Sequence, residues 1–102
     1  MKFTRLLLSA LPFLITFAAF AAESPVFEKD VRPILKAHCW HCHGEEDQHE
    51  GKLDTRLARF LLKGGETGPA VVPGDPKASL LIQRVASGEM PPGKKKLSPR
   101  EQ

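Results

Sequence analysis

Both cysteines of this 102-residue chain fall in one five-residue run, Cys39-Trp40-His41-Cys42-His43. That C-x-x-C-H spacing constrains the fold more than any other feature, because it is the attachment signature of a c-type haem. Two thiols three positions apart can reach the two vinyl groups of one porphyrin. His43, the next residue, then lies under the ring and offers an imidazole nitrogen to the iron. A chain built on this run must fold around a large flat cofactor, and haem c brings the redox chemistry with it.

The spacing has rivals. A Cys39–Cys42 disulfide suits an oxidising compartment. A redox-active dithiol needs a βαβ context, which this chain does not show. Cys39, Cys42, His43 and His49 form a nominal Cys2His2 zinc set. However, both pairs crowd into eleven residues, where a finger needs roughly 12 residues between its pairs. The haem reading is therefore the working expectation, with a zinc-stapled interaction module behind it.

The N-terminus reads as an export signal. Lys2 and Arg5 precede an uncharged apolar stretch, Leu6–Phe20, and Ala19-Phe20-Ala21 offers small residues at the two positions a signal peptidase checks. Cleavage after Ala21 gives a signal peptide at 1–21 and a mature domain at 22–102, with no stable membrane insertion and an extracytoplasmic or periplasmic location. Export agrees with haem ligation, which bacteria carry out outside the cytoplasm. Without Lys2 and Arg5 the formal charge drops from +3 to +1, so bulk charge argues for neither nucleic acid nor a membrane surface. Lys94-Lys95-Lys96 reads as a solvated loop.

The mature length allows one small domain, a size that commonly needs a metal, disulfide or cofactor to hold it together. Phe27, Val31, Ile34, Leu35 and Cys39 share one helical face. Pro33 restricts that helix to a start near Asp30 or a kink, and Gly44 is its expected stop. Glu45–Lys52 is a polar loop. A second helix is expected from Asp54 as N-cap to Gly64-Gly65, carrying Leu57, Phe60, Leu61 and Leu62. Gly68–Pro76 is too rich in Gly and Pro for a helix. A third helix spans about Pro76 to Ala86, burying Leu80, Leu81, Ile82 and Val85. The expected fold is all-α, about three helices with long Pro/Gly-rich loops wrapped around one haem.

Met90 is the single methionine beyond Met1. It precedes Pro91-Pro92, which stiffen the loop and present the thioether at little ordering cost. Met/His ligation raises the potential of a cytochrome c, so Met90 is the candidate distal ligand. His38, His41 and His49 compete, His38 and His49 being expected in solvent and His41 pointing away from the iron. A closed six-coordinate site argues for an electron carrier rather than an enzyme by itself. The alternative is a haem domain serving a catalytic assembly.

Taken in order, Phe27–Leu35, Cys39–Gly44, Leu53-Asp54-Thr55-Arg56, Leu61–Ala70, Val72-Pro73-Gly74, Ser79-Leu80-Leu81 and Met90-Pro91-Pro92 closely resemble Planctomycete-type cytochrome c domains. The resemblance implies a class I-like helical fold. Cys39 and Cys42 would be the thioether attachment points, His43 the proximal ligand and Met90 the distal one, with a redox protein or a fused downstream domain as partner. The loop before Leu53 is shorter than in the family. Ser98, Pro99 and Glu101 carry a capping-box start, and family members continue from it into a C-terminal helix. The sequence therefore reads as a domain lacking that helix, within a longer exported protein.

Overall fold

The computed structural model describes residues 15–102, so most of the expected signal segment lies outside the described residues. Residues 15–26 have no regular structure. A π-helical turn, Phe27–Val31, runs directly into α1, Arg32–His38. The wide turn answers the problem set by Pro33. Arg32 N–H bonds back to Phe27 O, five residues away, and Pro33 takes the first turn of α1, where its missing N–H costs nothing. Asp30 carboxylate accepts the Val26 N–H at 2.7 Å, and Glu28 pairs with Arg32 at 3.0 Å.

Beyond a 3-10 turn at Glu50–Lys52, α2 spans Ala58–Lys63 and α3 spans Leu80–Ala86. The described residues contain three α-helices and no strand, only isolated bridges at His43–His49 and Gly65–Gly68. The chain is thus a small all-α domain, as its sequence predicts. No helix among the described residues is long and apolar enough to cross a membrane.

Two helix starts differ from the expectation. Asp54 does not cap α2. Its carboxylate accepts the Arg56 backbone N–H at 2.9 Å and the Arg56 guanidinium at 2.7–3.1 Å, and α2 begins after Leu57. Likewise α3 begins at Leu80 and not near Pro76. Ser79 Oγ is engaged by the preceding loop, accepting from Val72 N at 2.9 Å and donating to Asp75 O at 2.8 Å. Ile82, expected on the buried side of α3, is exposed, as is Leu62 of α2.

The core is thin. Leu35 of α1, Leu61 of α2 and Ala70 of the Gly/Pro-rich loop are buried, ringed by half-buried Phe27, Val31, Trp40, Leu53, Val71 and Leu81. Backbone bonds fix the loop between the helices: Ala70 and Val71 N–H donate to Leu61 O, and Leu81 N–H donates to Ala70 O. Gly64 ends α2 at φ 74°, in the left-handed region glycine favours.

Candidate functional site

The C-x-x-C-H run begins where α1 ends. Cys39 N–H still bonds to Leu35 O at 2.8 Å, and one further helical turn closes when His43 N–H bonds to Cys39 O at 2.9 Å. Residues three and four apart on such a turn share a face. Cys39, Cys42 and His43 accordingly line one cavity, of about 410 Å³, a size within the range of about 300–1,000 Å³ usual for cofactor sites. Both cysteines are free thiols. Burial, and then the neighbouring Cys42, push the Cys39 thiol above its usual range.

The intervening residues point elsewhere. Trp40 packs on the core, with Arg32 Cζ and Lys36 Nζ 5.5 and 5.7 Å from its ring centroid. His41 is exposed.

Local structure clamps the run from behind. Glu50 N–H donates to Cys42 O at 2.9 Å and Gly44 N–H to Gln48 O at 2.7 Å, folding the polar loop back across His43. Thr55, 1% exposed, donates both its N–H (2.8 Å) and its Oγ–H (3.0 Å) to the His43 carbonyl. Gly44 is not the helix stop expected of it, since α1 has ended at His38. It is small because Arg56 and Asp54 pass close by: a Cβ there would meet Arg56 Cγ at 2.8 Å.

The opposite wall comes from α3 and the loop after it. Leu80, Leu81, Arg84 and Val85 face the cavity, together with Met90 and Pro91. Met90 N–H donates to Arg84 O at 3.0 Å, so the loop folds back onto its own helix. Arg84 lies 3.7 Å from Glu89.

The remaining histidines occupy different settings. His38 borders the cavity, yet its side chain is 7% exposed and its Nε2 lies 3.2 Å from a carboxylate oxygen of Glu101. This corrects the expectation of a solvated residue. Glu101 is held below the usual carboxylate range, first by the Ser98 N–H and then by His38. The Ser98–Glu101 bond, 2.8 Å, is the reach-back half of the expected capping box. His49 is 40% exposed and 3.5 Å from Asp54. No three His, Cys, Asp or Glu side chains gather as a metal site among the described residues.

One comparison decides what family this arrangement belongs to. Residues 39–94, just over half of the chain, match the family described as Planctomycete cytochrome C. The chain is a member of that family. No curated protein and no solved structure matches it. The matched span of this Planctomycete cytochrome C runs from the first cysteine past Met90 and contains both cavity walls.

A cytochrome c family implies covalently bound haem c and electron transfer, and the residues present fit that group. Two unpaired thiols stand on one wall. His43 lines the cavity, and its buried Nδ1 has no hydrogen-bond partner in the protein. Most of the remaining lining is apolar, as a porphyrin face requires. Thr55 is the residue that reading the sequence misses, because a threonine after an aspartate looks like a helix start.

Proposed function

We propose that this chain is an exported c-type cytochrome domain that carries single electrons through one covalently held haem c. The observation that carries the reading is the single cavity bounded by Cys39, Cys42 and His43 on one side and by Met90 on the other. When bound, haem c supplies one-electron exchange between ferric and ferrous iron.

The chain's own residues divide the remaining work. Cys39 and Cys42 would hold the porphyrin through thioether bonds. His43 would supply an imidazole nitrogen to the iron, its backbone held by the two Thr55 donors. Met90 would supply a soft sulfur that favours the ferrous state. The apolar residues of α3 exclude water, which keeps reorganisation on electron exchange small. The partner is a redox protein that approaches this cavity. A cavity with a candidate ligand on each side suits a carrier better than a catalytic haem, which needs an open coordination position.

Intact mass tests the reading. Expressed with haem-ligation machinery and exported, the denatured protein is expected to carry one haem, with its N-terminus at Ala22. Cys39→Ala with Cys42→Ala is expected to lose the covalent haem, and haem retained after denaturation of that variant would overturn the attachment. Met90→Ala is expected to open the iron to added imidazole. Equal imidazole binding by parent and variant would remove Met90 from the ligand set.

A further inference from the structure

Past α3 the Met90 segment has few backbone donors of its own. Gly88 N–H reaches Val85 O and Glu89 N–H reaches Ser87 Oγ, but Pro91 and Pro92 have no N–H to donate. Met90 N–H reaches Arg84 O, which ties down one point of the loop. The carbonyls on either side of Met90 are captured by one side chain from further along. Lys96 Nζ donates to Gly88 O at 2.7 Å and to Pro91 O. An ammonium carries three donors and here spans the methionine with two of them. It also lies at the negative end of α3, where a cation is favoured.

We propose that Lys96 is a positioning residue for the distal thioether: its ammonium bridges the Gly88 and Pro91 carbonyls and holds the Met90 loop closed over the cavity. This rests on Met90 as the distal ligand. All three lysines of the triplet are exposed, and what sets Lys96 apart is its pair of bonds to the Met90 loop. The loop exchanges between a closed form, with sulfur at the iron, and an open form in which an added ligand binds. An added ligand's apparent affinity scales with the open fraction. Removing the bridge raises that fraction and leaves the sulfur itself intact.

The test uses the exported, haem-loaded full chain in the ferric state. Parent, Lys96→Gln, Lys96→Arg, Lys95→Gln and Met90→Ala are each titrated with imidazole, at low and at high salt. Loss of the thioether-to-iron charge-transfer absorption is followed throughout. Lys96→Gln is expected to show the absorption at rest and to bind imidazole about tenfold more tightly, about 1.4 kcal/mol. Lys96→Arg, which keeps donors and charge, is expected to recover most of the difference. Lys95→Gln is expected to match the parent, and high salt to leave the order unchanged.

Parent-like binding by Lys96→Gln, alongside an opened Met90→Ala, overturns the bridge and leaves the ligand assignment standing. Equal effects of Lys95→Gln and Lys96→Gln overturn it as well, because bulk charge then explains both. Parent-like binding by Met90→Ala removes the ligand assignment, and the bridge with it.

Discussion

Asp54 shows how much one side chain behind the C-x-x-C-H run can hold. It accepts hydrogen bonds from the Arg56 backbone and guanidinium and lies 3.5 Å from His49. The Arg56 hydrogen bond is the first cause that keeps its carboxyl below the usual range, against an opposing contribution from burial, with His49 adding a smaller pull in the same direction. A lowered folded-state pKa means the fold prefers the charged form. Its contribution is therefore fully present above the ordinary carboxylate value near 4 and is lost as pH falls through the lowered value. Asp54→Asn is expected to be less stable than the parent at pH 7, with the two converging in strong acid. Urea midpoints measured from pH 7 down to pH 2 check this, and a difference that does not shrink in acid would show the charge to be irrelevant. At this scale the sequence exposes the grouping of Cys39, Cys42 and His43 on one cavity well, since C-x-x-C-H is local. It hides His38, whose burial depends on Glu101, 63 residues away. A local reading has no access to such a pairing.

Among the elements, the helices were legible, and the starts of α2 and α3 were not. The apolar face of α1 and the glycine after α2 were readable because both arise from the 3.6-residue period and from the left-handed freedom of glycine. The N-termini failed because Asp54 and Ser79, good capping residues, bond to neighbouring loop atoms instead. Ser79 is 2% exposed, and its hydroxyl accepts from Val72 N and donates to Asp75 O. It thereby closes the Pro-rich connection that carries Val71 and Ala70 to the core. Removing a buried partner costs the desolvation of the group left behind, about 1–3 kcal/mol. Ser79→Ala is accordingly expected to destabilise the haem-loaded protein by that amount, read from its denaturant midpoint. Hydrogen exchange should quicken at Val72 before it does in α1. Uniform quickening across all three helices would mean that Ser79 supports the whole domain and not this loop.

For the molecule as a whole, the cavity stands where a core would otherwise be. Leu35, Leu61 and Ala70 are the buried hydrophobic residues among those described, whereas a cavity of about 410 Å³ separates α3 and the Met90 loop from the cysteine turn. Chains of this length bury too small a share of their surface to be stable with so little packing. On the proposed reading, haem would complete the core as well as carry the electron, which would couple maturation to folding. The haem-free Cys39→Ala, Cys42→Ala protein is expected to retain much of its far-ultraviolet helix signal. It should lose the near-ultraviolet signal of packed Trp40, bind a hydrophobic dye and melt over a broad range. The haem-loaded parent is expected to melt cooperatively and at higher temperature. Parallel circular dichroism and dye-binding measurements on the two proteins decide the matter. A sharp transition in the haem-free protein at the parent's temperature would show that these three helices and their loops pack without the cofactor. In that case the cavity would be preformed, and haem would enter a finished fold.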